Sequence, residues 1–180
     1  MARLWRGEAS WVRGAQAGSV PDLEALFREH WPRAHRAAFL VVRDAAAAED
    51  IAQEAFLAAI RTLDRFDRRR PFGPWLHRIV VNRSIDWARA RALRAEVGGD
   101  ALEERPAPAA PGDDPFSEPT AHALGALSPE HRAVIVLRYL LEYTPGEIAG
   151  LLELPRGTVN SRLRRGLDRL RDELPEEEDG

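Results

Sequence analysis

Apolar residues along this chain recur at intervals of three and four, and no stretch alternates apolar with polar over the length that a strand needs. The pattern predicts an all-α protein. Helical stretches run over 8–17, 21–42, 45–65 and 71–94 in the N-terminal part, and over 128–141, 144–152 and 156–173 in the C-terminal part. Pro32 disfavours helical geometry at Trp31, so the second stretch is expected to bend or split there. Ser128 ahead of Pro129 has the form of an N-cap followed by a first helical residue. Thr144 with Glu147 has the form of a capping box. Pro175 and the acidic run EEEDG stop the last helix.

The two groups of helices are separated by VGGDALEERPAPAAPGDDPFSEP, Val97 to Pro119, which is rich in Gly, Pro and acids and poor in large apolar residues. Such a segment buries too little surface to offset the entropy of ordering. The expected organisation is therefore two small helical domains, 1–95 and 119–175, joined by a flexible acidic linker at 96–118 and followed by an acidic tail at 176–180.

Composition narrows the class of protein. The chain has 180 residues, 44% hydrophobic and 31% charged, in the range of globular proteins. It has no cysteine, which excludes disulfides and thiolate metal sites. The N-terminus lacks the apolar core of a signal peptide, and no apolar run approaches the roughly 20 residues that span a bilayer. A cytoplasmic protein with no membrane insertion is expected. The net charge of -3 hides strong segregation: residues 61–95 sum to +7 and 156–171 to +5, whereas 96–118 and 172–180 each sum to -6. Two basic blocks on an acidic chain point to two surfaces for a polyanion, although either block alone also fits a solvated helix face.

The second basic block is the last helix. On a helical wheel Val159, Leu163, Gly166, Leu167, Leu170 and Leu174 fall on one side, and Thr158, Ser161, Arg162, Arg165 and Arg169 on another. The preceding EIAGLLEL supplies a short amphipathic helix and a turn. Together they have the form of a helix-turn-helix, whose second helix enters the DNA major groove; a helical hairpin with a solvated basic face fits the same pattern. The first basic block places Trp75, Arg78, Asn82, Asp86 and Arg89 along one stripe and Leu76, Ile79, Val80 and Trp87 along another. A ring, an amide and arginines in line suit single-stranded nucleic acid, through stacking, base edges and phosphates. Trp75 fits a core position equally well.

The segment LSPEHRAVIVLRYLLEYTPGEIAGLLELPRGTVNSRLRRGLDRLR resembles region 4 of bacterial sigma factors. DIAQEAF (Asp50 to Phe56) and FGPWLHRIVVN (Phe72 to Asn82) resemble region 2 of the same sigma-70 family, in particular its extracytoplasmic-function (ECF) group, which keeps only regions 2 and 4. Three positions depart from the family pattern. Glu153 stands at a turn position usually held by glycine, Asn160 where a basic residue is usual, and Gly166 where alanine is usual.

The resemblance implies an alternative sigma factor that binds RNA polymerase core through the β′ clamp coiled coil and the β flap, and recognises −35 and −10 promoter elements. Asp50, Gln53 and Glu54 would contact the clamp, with Ile51 and Phe56 packing inward. Phe66 would meet a base flipped from the non-template strand, and Arg65, Arg68, Arg69 and Arg70 its phosphates, with Trp75, Arg78, Asn82, Asp86 and Arg89 completing the −10 surface. Arg156, Thr158, Ser161, Arg162, Arg165 and Arg169 would serve the −35 element. The linker would lie in a channel built for nucleic acid, and an anti-sigma factor is a further expected partner. No catalytic residue, metal or cofactor is expected: His30 and His35, five apart, lie about 140° apart on a helix and have no carboxylate cluster beside them. The other reading is a free-standing helix-turn-helix regulator, which leaves DIAQEAF and FGPWLHRIVVN without a role.

Overall fold

A computed structural model of the chain describes residues 2–98 and 118–174, with side chains over 7–95 and 119–174. The expected linker (apart from its ends) and the acidic tail lie outside the described residues. The first module consists of α1 (Ala2–Gln16), α2 (Val20–Val42), α3 (Ala45–Thr62), a 3-10 turn (Leu63–Arg65) and α4 (Phe72–Gly98). The second consists of α5 (Glu118–Ala123), a 3-10 turn (Leu124–Ala126), α6 (Pro129–Ile135) running into a π turn (Val136–Leu140), α7 (Pro145–Leu152) and α8 (Arg156–Glu173). No strand occurs among the described residues.

Residues 37–42 of α2, AAFLVV, are buried on every side, as befits the central helix of a bundle. Helices α1, α3 and α4 pack around α2. Helix α3 turns Ala48, Ala52, Ala55 and Ala59 inward, small residues that let its backbone come close, with Ile51 and Phe56 filling the remaining volume. Helix α4 contributes Leu76, Val80 and Val81. Caps fix the helix starts: Ser19 accepts from Asp22 N, and Asp44 accepts from Ala47 N while pairing with Arg91 at 2.8 Å. The start of α4 is capped from a distance, because Glu8 on α1 accepts from the amides of Phe72 (2.5 Å) and Gly73 (3.2 Å), placing a carboxylate at the positive end of the helix.

Helix α2 runs through Pro32 as one helix, so of the bend or split expected there the split does not occur. Pro32 sits at an exposed position, where solvent satisfies the carbonyl that the missing N–H leaves unpaired. Ser128 caps α6 as expected, accepting from His131 N, and Thr144 with Glu147 forms the expected capping box. The stretch predicted at 128–141 is helical but widens at Val136–Leu140, closed by Leu141 N donating to Val136 O. The short helix α5 carries no periodicity long enough to be read from sequence.

The second module packs against the first: α4 meets α6 and α7, and α2 meets α6 and the π turn. One contiguous hydrophobic core runs through both. At the seam His77 is buried, with its Nδ1 2.7 Å from the Tyr143 hydroxyl. Glu142 and Glu153 adopt left-handed backbone (φ 60° and 54°), which costs a side-chain-bearing residue roughly 1 kcal/mol relative to glycine. At Gly166 an added Cβ would lie 2.7 Å from Ile135 Cδ1, so glycine lets α8 settle close to α6.

Two predictions follow from this packing. Ile135→Val removes the methyl that confronts residue 166, so it should cost about 1 kcal/mol in the native chain and clearly less in a Gly166→Ala background. Urea unfolding of the four proteins measures this coupling, and additive costs would contradict it. Burial, with Coulombic repulsion from His30 and Arg33, lowers the His77 pKa from 6.5 to about 3. The unfolded chain therefore takes up a proton below pH 6.5 that the folded chain refuses. The stability present above pH 6.5 is lost as pH falls towards 3, by roughly 2 kcal/mol at pH 5 for this one group. Burial also lowers the pKa of His30, His35 and His131, adding in the same direction. Thermal melts from pH 7 to pH 5 should show a steep fall, and a flat profile would contradict burial of neutral histidine.

Candidate nucleic-acid interface

The arginine-rich loop between α3 and α4 is organised from two sides. Gln16 on α1 donates its side-chain amide to the carbonyls of Leu63 (2.8 Å) and Phe66 (3.0 Å), pinning the loop to the bundle. Asp67 accepts from the Arg69 backbone N–H and guanidinium, and the hydrogen bond from the Arg69 side chain pulls its pKa down to about 2. Arg69 is thereby paired with Asp67 within the loop while its side chain stays exposed, as are Arg65, Arg68 and Arg70 around it. Phe66 is half-buried, its ring centroid 4.6 Å from that of Trp75 and 6.0 Å from that of Phe72. Trp75 thus belongs to an aromatic cluster at the edge of the core, a position between the two readings its sequence allowed.

Along α4 the expected stripe is present. Trp75, Arg78 and Asn82 are half-buried, and Asp86 and Arg89 are exposed. Two of its guanidiniums already hold carboxylates from the second module: Arg78 pairs with Glu153 and Arg89 with Glu130, each at 2.5 Å. Loop and stripe border a cavity of about 690 Å³, with Arg65, Phe66, Trp75 and Arg78 on one wall and Tyr143 and Glu147 on the other.

Helix α8 separates its faces as the wheel predicts. Val159, Leu163, Gly166 and Leu170 are buried, whereas Leu167 and Leu174 are half-buried. Arg156, Arg165 and Arg169 are exposed, and Thr158, Ser161 and Arg162 are half-buried near the helix start. Arg169 also meets Glu173 one turn on, at 3.4 Å. The pairing of α7 with α8 gives the helix-turn-helix, and the left-handed Glu153 makes its turn.

On α3, Asp50, Gln53 and Glu54 are exposed while Ile51 and Phe56 are buried. Gln53 donates to Glu49 at 3.1 Å, and Glu54 pairs with Arg83 at 2.7 Å. The same outer face carries Leu57 (50% exposed) and Ile60 (37%), and Phe27 (43%) from α2 lies close by. A cavity of about 620 Å³ opens there, lined by Leu23, Phe27, Trp31 and Ile60. These apolar residues were not singled out from sequence. A wheel of α3 places Leu57 and Ile60 beside Gln53 and opposite the buried alanines, so the signal was available. Gln16 and Glu8 gave no such signal, because their partners are more than forty residues away.

His30 lies 3.8 Å from Glu8 and beside the Phe72 ring, and His35 stacks on Trp31. No group of three metal-ligating side chains occurs among the described residues, and no described helix is long and apolar enough to cross a membrane.

Comparison with known proteins agrees with this geometry. Residues 26–94 match the family model for sigma-70 region 2, and residues 123–172 match that for sigma-70, region 4. The ECF RNA polymerase sigma factor SigE of Mycolicibacterium smegmatis is 34% identical over 172 residues, 89% of this chain; the match spans 64% of that longer protein. The ECF RNA polymerase sigma factor SigL of Mycobacterium tuberculosis is 35% identical over 169 residues, covering 92% of this chain and 96% of SigL. Among solved structures, the sigma factor RpoE in complex with the anti-sigma factor NepR from Bartonella quintana shares the fold, with a TM-score of 0.73 and 22% identity over 88% of this chain and 99% of that one. Matched in both modules, in order, and over nearly the whole length of SigL, the chain belongs to the sigma-70 family of RNA polymerase sigma factors, in the extracytoplasmic-function group.

Proposed function

We propose that this sigma factor docks on RNA polymerase core through the outer face of α3, reads a −35 element with α8, and holds the opened non-template strand of a −10 element with the 65–70 loop and α4. The observation that carries this reading is the pair of arginine faces, one on each family-matched module. Residues 1–95 form the polymerase- and −10-binding domain and 119–175 the −35-binding domain, with 96–118 as the acidic connection between them. Core docking combines Asp50, Gln53 and Glu54 with the apolar Leu57 and Ile60, and the β flap receives the second module. The protein works in the cytoplasm, where polymerase and promoter DNA are, and performs no covalent chemistry. An anti-sigma factor restrains it, a partner supported by the company in which RpoE was solved.

The direct test is run-off transcription with purified core polymerase, in which defined transcripts should appear only when the chain is added. Arg162→Ala or Arg165→Ala should weaken −35 duplex binding and lower its salt slope by about 1, with core binding unchanged. Phe66→Ala should impair opening more than closed-complex formation, and an unchanged permanganate footprint in that variant would refute its role. A free-standing regulator would instead bind an operator tightly without polymerase.

A further inference from the structure

We propose that α1 is a clip that presets the strand-reading loop, with Glu8 and Gln16 as positioning residues that hold Phe66 and its neighbouring arginines in their binding geometry before nucleic acid arrives. The purpose of the clip rests on the reading of the 65–70 loop given above, but the clip itself does not. Helix α1 (Ala2–Gln16) lies wholly before the segment 26–94 that matches the region 2 model, yet both ends of the loop are tied to it. At the leading end, the Gln16 side-chain amide donates to carbonyls at either end of the 3-10 turn, those of Leu63 (2.8 Å) and Phe66 (3.0 Å), which uses both of its hydrogens. At the far end, the Glu8 carboxylate accepts from the Phe72 and Gly73 amides, and Pro74, next in line, has no N–H to satisfy.

Gln16 and Glu8 stand about 12 Å apart along one helix axis, so a single rigid element fixes the separation of the loop's two ends. Something must fix it, because the segment 65–70 carries four arginines and one aspartate, and its own charge favours an expanded loop. Both ties act on the aromatic cluster. Gln16 holds the backbone of Phe66 and Glu8 that of Phe72, and these rings lie 6.0 Å apart, with Trp75 4.6 Å from Phe66 and 5.7 Å from Phe72. A loop already in its bound shape loses less freedom when a base and phosphates arrive, so ties made away from the strand strengthen its capture. Helix α1 itself is anchored to the bundle by the buried Val12, so loss of either tie leaves the helix in place.

The test uses the whole chain, and amide hydrogen exchange measures the clip with no nucleic acid present. In Gln16→Met, which keeps the length of the side chain and removes its donors, the Phe66 and Arg70 amides should exchange faster, although neither is bonded to Gln16. The amides of the buried Val80 and Val81 on α4 should stay protected, which separates a loosened loop from a loosened fold. Unchanged exchange at Phe66 and Arg70 would overturn the clip. Its consequence is read by the anisotropy of a fluorescein-labelled single strand that the native chain selects from a random-sequence pool. Gln16→Met and Glu8→Ala should each bind this strand roughly tenfold more weakly, the factor expected where the competent geometry is held about one time in ten. Glu8→Gln, which keeps an acceptor oxygen at the same reach, should recover most of the affinity, and a loss equal to that of Glu8→Ala would overturn the role given to Glu8. Binding weakened by Phe66→Ala but not by Gln16→Met would overturn the clip and leave the reading of the loop intact. Binding indifferent to both would refute the loop as the strand-reading surface, which separates this proposal from the one on which it rests.

Discussion

Burial of one six-residue run, Ala37 to Val42, is the constraint from which the rest of the structure is built. A helix apolar on all sides must be surrounded, and α1, α3, α4 and parts of the second module surround it. Once α2 is enclosed, the outer face of α3 and the polar stripe of α4 have fixed directions. The 65–70 loop is then held between them, by Gln16 below and by the Phe66, Phe72 and Trp75 rings above.

Arginine chemistry carries the functional argument. Every basic side chain is a guanidinium, planar and permanently charged, able to hold a carboxylate or a phosphate with the same fork of donors. Arg69 pairs with Asp67 and Arg83 with Glu54, while Arg78 and Arg89 hold acids of the second module. Arg65, Arg68 and Arg70 on the first module, and Arg156 and Arg165 on α8, remain exposed and are in no ion pair described above. An acidic protein can therefore present two cationic surfaces, because its negative charge is placed elsewhere along the chain.

Much of this was legible in the sequence, for physical reasons. Periodicity located the long helices because each buries a continuous stripe, and cap residues fixed their starts because unpaired amides at a helix start need an acceptor. Helix α8 came out at its expected bounds with its expected buried side. Features that depend on distant partners stayed hidden. The cap on α4 comes from Glu8, and the grip on the loop comes from Gln16. The close approach that makes Gly166 suitable depends on Ile135 of another helix. The continuity of α2 through Pro32 turned on which way that residue faces. The packing of the second module on the first left no trace in either module's own pattern, apart from glutamate at a turn position better suited to glycine.

The central claim is that these two arginine-bearing modules act from a larger machine. Titrating the chain, dye-labelled at a single cysteine in place of the exposed Asp168 of α8, with purified RNA polymerase core, with no DNA present, and following fluorescence anisotropy measures this most directly. Saturable binding, weakened when Leu57 and Ile60 on α3 are replaced by glutamate, is the result the account predicts. Absence of association, or binding indifferent to that face, would contradict it.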